Sequence, residues 1–384
     1  MAGSAGRARA ARWGVQLAVL FFVAVWTLPT IAILVSSLRD NAQIAVSGWW
    51  TALTTSPQTG AARLPGAETQ VEKDGRWVIS GNIFREGEEL RVTAFGTRVQ
   101  NPREFKAGEA ADLGGGVALV VNSDGTFEQS SPAAFTDKRG QRIYYEASLP
   151  PRFTTENYHT VLFSEGIGRS FVNSLTVTVP ATIIPILIAA FAAYALAWMR
   201  FPGRAILIAV IIGLLVVPLQ MTLIPLLKLY NGVGAFFGVP SKTYLGIWLA
   251  HTGFGLPFAV YLLRSYIAGL PREVMESARI DGASDFEIFV RIVLPLSLPV
   301  LASFAIFQFL WVWNDLLVAI VFLGSGADQL VLTGKLNALL GSRGGDWEIL
   351  TTSAFVTIIV PLLVFFSLQR YFVRGLLAGS VKGG

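Results

Sequence analysis

Long apolar runs, separated by short polar turns that carry arginine, dominate the chain. A helix that crosses a membrane needs about 20 mostly apolar residues. Runs of this kind cover 13–35, 170–199, 205–227, 243–263 and 349–369, and a further one at 295–323 holds a single charge, Asp315. The pattern predicts an all-α polytopic membrane protein with six transmembrane helices. Pro180, Pro185, Pro218, Pro225, Pro257 and Pro361 fall inside these runs. Membrane helices tolerate proline where neighbours satisfy the freed backbone groups.

The first run follows Arg7, Arg9 and Arg12. It is longer than the apolar region of a cleaved signal peptide, about 7–15 residues, so an uncleaved first span is expected. Six spans put both termini on one side, and excess Lys and Arg mark the cytoplasmic loops. Arg200 and Arg204 lie between the second and third runs, and Arg264, Arg272, Arg279 and Arg291 between the fourth and fifth. These share a side with the N-terminal arginines and with Arg370, Arg374 and Lys382. Both termini of this multi-pass chain are therefore expected in the cytoplasm.

The chain divides into three parts: 1–36, with the first span; 37–169, a polar extracytoplasmic insertion; and 170–384, a core with the other five spans. Within the insertion, 76–80, 90–95, 117–121 and 141–147 read as strands. Asn122-Ser123-Asp124-Gly125-Thr126-Phe127 carries an Asp-Gly hairpin signal. The expectation is a small β-rich domain that either docks a partner or decorates the core without chemistry of its own.

A polar interruption at about 270–295 has a different design. Pro271 suits the first position of a helix. Arg272 and Glu276, then Glu276 and Arg279, stand at spacings that meet on one helix surface. Gly282 follows, and glycine reaches the left-handed backbone of a helix C-cap without steric cost. Ser284 and Glu287 have the spacing of a capping box that opens a second helix, to which Phe286, Phe289 and Val290 give an apolar face. Leu294-Pro295 then turns the chain back to the membrane. The predicted object is a helix, a sharp turn and a helix on the cytoplasmic surface, and an ordinary amphipathic connector is the plain alternative.

Glu273-Val274-Met275-Glu276-Ser277-Ala278-Arg279-Ile280-Asp281-Gly282 with Ile292-Val293-Leu294-Pro295 resembles the coupling loop of ABC-importer permeases. It departs from that signature at Ser277, where alanine is usual. The 153–158 segment, the Trp313-Asn314-Asp315 cluster and the 378–383 tail are similar to the G-type permease of maltose-type carbohydrate importers. The enlarged insertion is similar to their alpha-glucoside branch. The resemblance implies the type I importer permease fold and a place in a bacterial inner membrane. It implies that Glu276, Ser277, Ala278, Asp281, Gly282, Ile292, Leu294 and Pro295 couple the membrane helices to an ATPase. It also implies an F-type second permease subunit, an ATPase homodimer that carries ATP and Mg, a periplasmic solute-binding protein and a sugar substrate. No cofactor is expected on this chain.

Polar side chains inside spans are costly and usually face a bundle interior or cavity. By depth, Gln220, His251, Gln308, Trp311, Asn314 and Asp315 could line one outer cavity as a gate or sugar path. They could equally be interhelical hydrogen bonds and an interfacial tryptophan belt. Composition agrees with a membrane chain: 53% hydrophobic and 14% charged residues, against about 25% charged in soluble domains. The net charge of +5 is accounted for by the cytoplasmic loops, and nucleic acid is not an expected partner. There is no cysteine, so thiol chemistry is excluded. Gly334-Lys335 lacks the rest of a phosphate-binding loop, no zinc motif or hydrolase elbow occurs, and the chain is not expected to be an enzyme. An ion-coupled secondary carrier and a membrane sensor with an outer receptor domain remain as alternatives.

Overall fold

The structure is a computed structural model that describes residues 2–85, 90–240 and 242–380. Val381, Lys382 and Gly383 of the tail lie outside the described residues. The chain forms two compact units. The first comprises the described residues up to Asn157 together with Asp346–Thr352, and the second comprises Tyr158–Gly345 and the described residues from Ser353 onward.

The first unit begins with α1 (Ala2–Ser37), apolar over Ala11–Ser37, and the short α2 (Asn41–Ile44). Nine strands follow: β1 (Ser56–Arg63), β2 (Val71–Lys73), β3 (Arg76–Asn82), β4 (Arg91–Gly96), β5 (Phe105–Lys106), β6 (Ala110–Asp112), β7 (Ala118–Val121), β8 (Thr126–Ser131) and β9 (Arg142–Leu149). They make two antiparallel sheets, ordered β1-β9-β4-β5 and β2-β3-β8-β7-β6. Alternate residues point to one face of a strand, and Ile79, Val92, Phe95, Leu119, Val121, Phe127 and Ile143 thereby form a common buried core.

The Asp-Gly hairpin joins β7 to β8, with Gly125 at φ +82°. The Thr126 hydroxyl and backbone N–H both donate to Asp124, which holds its carboxyl below the usual carboxylate range. All four strands read from the sequence are present. β1 was not foreseen, because Ser56-Pro57-Gln58-Thr59-Gly60-Ala61-Ala62-Arg63 has little β propensity of its own. Pairing with β9 along its whole length makes it a strand.

α3 (Glu156–His159) leads into the second unit. Its helices are α4 (Ile167–Trp198), α5 (Arg204–Leu214), α6 (Leu219–Phe237), α7 (Tyr244–Ile267), α8 (Arg272–Ile280), α9 (Asp285–Ile288), α10 (Leu294–Leu296), α11 (Leu298–Trp313), α12 (Leu317–Phe322), α13 (Leu332–Ser342) and α14 (Trp347–Ser380). The last crosses from one unit to the other. α4 packs along α7 and α11. Ala181, Ala189, Ala190 and Ala193 on α4, with Ala250 and Ala259 on α7, are buried at these contacts. Small residues let helix backbones approach closely in a membrane bundle.

Four helices are long and apolar enough to cross a membrane, or six if each of two bent pairs makes one crossing. The bends correct the expectation of continuous spans. The 205–227 run divides into α5 and α6, which meet at 108°. Pro218 begins the new helix and restricts the backbone of Val217 before it. The 295–323 run bends by 70° at Ser297 and breaks again after Trp313. There Asp315 accepts the backbone N–H of Ala319 and starts α12. Between α12 and α14 the chain forms a further helix, α13.

Candidate functional site

The polar elbow is an ordered motif. α8 ends in a pair of backbone bonds, Gly282 N–H to Arg279 C=O (3.1 Å) and Ala283 N–H to Ala278 C=O (3.0 Å). This is the Schellman arrangement, which needs a left-handed residue at the position Gly282 fills, and its φ is +82°. Two residues later Ser284 caps α9 through a reciprocal capping box with Glu287. The Ser284 backbone N–H and hydroxyl both donate to the Glu287 carboxylate, which lowers its pKa from the usual carboxylate range. Two helix ends thus meet across two residues, with the Ala278 and Arg279 carbonyls and the Ser284 and Glu287 N–H groups satisfied. Pro271 sits at the N-cap of α8, one position before the helix.

One face of the elbow is anchored. Met275, Ile288, Phe289 and Val293 are buried in a cluster with Ala189, Ala193 and Tyr194 of α4, Leu263 of α7 and Phe304 of α11. Ala278 and Ala283 pack against the same cluster. A π-helical turn, Phe289–Val293, carries α9 into α10. The sequence put Phe286, Phe289 and Val290 on one apolar face; the structure buries Phe289 and exposes Phe286 and Val290. Glu276, Ser277, Asp281, Gly282 and Pro295 are exposed, while Ala278, Ile292 and Leu294 are half-buried. Ile280, 86% exposed, and Phe286, 65% exposed, are the most exposed large apolar side chains of the elbow. Ile280 was not singled out from the sequence, although an isoleucine flanked by Arg279 and Asp281 was the available signal. A groove of about 320 Å³ runs between Asp281, Gly282, Glu287, Ile288 and Arg291.

Charge ties the elbow inward as well. Arg279 Nη2 lies 3.2 Å from Asp285 Oδ1, across the turn. The Tyr194 hydroxyl of α4 donates to that same oxygen at 3.0 Å. Beside them a polar cavity of about 890 Å³ is lined by Arg200, Arg204, Arg272, Glu276, Arg279 and Asp285, among others. Arg279 therefore reaches Asp285 of the next helix, a partner that helical spacing within α8 did not offer.

The second group of candidate residues divides. Gln308 Nε2 donates to the Ala181 carbonyl of α4 at 3.1 Å, and His251 stands edge-on to Trp311 with ring centroids 5.4 Å apart. His251 is fully buried, and neither ring nitrogen has a hydrogen-bond partner among the described residues. Trp311 also lines an apolar cavity of about 550 Å³ beside the α5–α6 bend, with Thr222, Phe254 and Pro257. Asn314 is exposed and donates back to the Leu310 carbonyl, while Asp315, two residues before α12, accepts the Ala319 N–H of its first turn. Gln220 is exposed on the first turn of α6, outside this contact set. His251, Gln308 and Trp311 are thus brought together, and Asn314 and Asp315 mark a helix break. Among the described residues, no group of three or more His, Asp or Glu side chains is placed to hold a metal ion.

Residues 170–377 match the family model described as the binding-protein-dependent transport system inner membrane component. The chain is 69% identical over 372 residues to the alpha-glucoside transport system permease protein AglG of Rhizobium meliloti (strain 1021), an alignment that covers 97% of each. It is 59% identical over 231 residues to the osmoprotective compounds uptake permease protein GgtD of Synechocystis sp. (strain ATCC 27184 / PCC 6803 / Kazusa), which covers 60% of this chain and 76% of that one. A solved bacterial ABC transporter involved in the import of the acidic polysaccharide alginate has a chain that superimposes with a TM-score of 0.48 at 22% identity, covering 58% of this chain and 81% of that one.

Proposed function

The chain belongs to the family of binding-protein-dependent transport system inner membrane components, and on that premise we propose that it is the permease of an ATP-driven importer of α-glucosides. The substrate class follows from the AglG relative, which is 69% identical over nearly the whole chain. The partners expected are an F-type permease, an ATPase homodimer that binds ATP and Mg, and a periplasmic solute-binding protein. The chain then lies in the inner membrane with both termini in the cytoplasm, and hydrolysis takes place on the ATPase subunits.

The observation that carries the reading is the two-faced elbow. Its outer face presents Glu276, Asp281, Ile280 and Phe286 to a partner. Its inner face is buried among α4, α7 and α11 through Met275, Ile288 and Phe289. Packed side chains do not deform continuously. A partner that grips the outer face and moves therefore moves the buried anchors, and the helices follow as rigid bodies. ATP shifts the transporter only as far as the ATPase binds the two elbow positions with different affinity. Alternating access then arises in helices that have no motor of their own. Gln308, His251 and Trp311 stand where α4, α7 and α11 meet, and in this reading they set how those helices slide.

The deciding experiment is reconstitution of the four kinds of subunit in proteoliposomes. Labelled maltose, trehalose or sucrose should accumulate only with ATP and the solute-binding protein present. Accumulation that follows an ion gradient without ATP overturns the reading.

A further inference from the structure

The first unit contains a cavity that the transport cycle described above does not use. Its volume is about 330 Å³, and Asp40, Gln43, Gln58, Thr59, Tyr145 and Arg152 contribute to its walls. All of them belong to the insertion, from the end of α1 to the segment that follows β9. Ligand pockets start at about 300 Å³ and combine an apolar surface with a few convergent polar groups. This one has that mixture.

The walls are held by bonds that leave the polar tips available. Gln43, 3% exposed, donates to the Pro150 carbonyl at 2.6 Å and accepts the Arg152 N–H at 3.2 Å. It thereby clamps the chain after β9 against α2. The buried Arg39 guanidinium donates to the Gln43 and Ser47 carbonyls and fixes the loop behind α2. Burial lowers its pKa from the usual arginine value. Asp40 spends Oδ1 on the N–H of Ala42. The side chains of Gln58, Thr59 and Arg152 make no hydrogen bond among the described residues.

Tyr145 supplies the apolar surface. It stands opposite Gly60 in the β1–β9 register. A Cβ on residue 60 would lie 2.5 Å from the ring carbon that bears the hydroxyl, so the bare glycine is what lets the ring lie across β1. Phe84 meets the same ring edge-to-face at 5.6 Å and holds it there.

An aromatic ring beside a carboxylate, two neutral hydrogen-bonding side chains and a guanidinium suits a neutral polyol. Sugar C–H groups pack on the ring, and adjacent hydroxyls bridge the donors and acceptors. We propose that this pocket binds one sugar ring of an α-glucoside, a second carbohydrate site on the chain outside the helix bundle. The proposal rests on the importer reading for its substrate class.

Saturation-transfer NMR on the assembled transporter in nanodiscs, without solute-binding protein or nucleotide, tests it with maltose and trehalose as probes. Signals should appear with the native chain. They should fall at least fivefold in Tyr145→Ala and in the double variant Gln58→Leu/Thr59→Val, which keeps the strand and the ring. Absent signals, or signals unchanged in the double variant, overturn the proposal. Uptake of the same sugars by the native transporter, measured in parallel, separates the two readings. Uptake without these signals overturns the pocket alone, and no uptake of any α-glucoside overturns the importer assignment.

Discussion

The Tyr194 hydroxyl on α4 donates to Asp285 Oδ1 at 3.0 Å, and Asp285 is the first residue of α9. One oxygen therefore joins the elbow to the helix that packs against both α7 and α11. Arg279, from the other arm, meets the same oxygen at 3.2 Å. Any rotation of α8 relative to α9 must break one of these bonds or carry α4 with it.

Tyr194→Phe removes the bond and keeps the ring beside Phe289, 5.5 Å between centroids. A hydrogen bond contributes about 1 kcal/mol net, so the chain should still assemble. Sugar transported per ATP hydrolysed should fall about fivefold, since 1 kcal/mol corresponds to about that factor. Arg279→Gln should do less, because an ion pair with both side chains nearly half exposed contributes about 0–1 kcal/mol. Transport and hydrolysis rates in the same proteoliposomes check the order of the two effects.

Gly282→Ala meets no steric obstacle, since an added Cβ has nothing within 4 Å. The cost is conformational: a left-handed residue other than glycine costs about 1–2 kcal/mol. Asparagine tolerates this backbone better than β-branched residues do. Retention of the ATPase on affinity-tagged permease should therefore fall in the order Gly, Asn, Ala, Val. If all three variants retain the ATPase equally, the left-handed turn plays no part in docking.

The Ser284–Glu287 box has a definite pH dependence. Hydrogen bonds from Ser284 hold the Glu287 pKa below its unfolded value. The sign follows: this stabilisation is complete above the unfolded glutamate value, about 4.3, and is lost as pH falls through the lower folded value. Hydrogen exchange of the α9 amides should thus show constant protection between pH 8 and 6, after correction for intrinsic rates. Ser284→Ala should cost about 1 kcal/mol of that protection, and Glu287→Gln should retain part of it.

The elbow was legible because its signals are local. Gly282, Ser284 and Glu287 determine two helix ends through backbone bonds within a few residues. Met275 and Tyr194 were not legible as anchors, because their partners lie on other helices and helical spacing alone does not name them. The bends were half legible. Pro180 and Pro185 stay inside α4, a helix buried along much of one side, whereas Pro218 ends a run. α5 has no buried residue, so no neighbour restores the lost backbone bond there. β1 was invisible for the opposite reason to the elbow: its strand character comes from β9, whose pairing residues are far away along the chain.

Gly255 on α7 and Gln308 on α11 offer a test of the bundle interior. A Cβ on residue 255 would lie 2.5 Å from Gln308 Oε1 and 2.8 Å from Nε2, while that amide is held by the Ala181 carbonyl. Overpacking of this kind costs about 1–3 kcal/mol. An interhelical hydrogen bond in a membrane bundle contributes on average about 0.6 kcal/mol, so the clash outweighs the lost bond. Gly255→Ala should accordingly destabilise the chain more than the bond alone explains. In Gly255→Ala/Gln308→Ala the new methyl enters space the amide has left, and stability should recover part of the loss. The coupling between the two sites should be favourable by about 0.5–3 kcal/mol, the range for residues in contact. Thermal unfolding of the assembled complex in detergent, followed across the four members of the cycle, measures it. Additive losses would mean that α7 and α11 move apart freely here and that Gln308 does not hold their spacing.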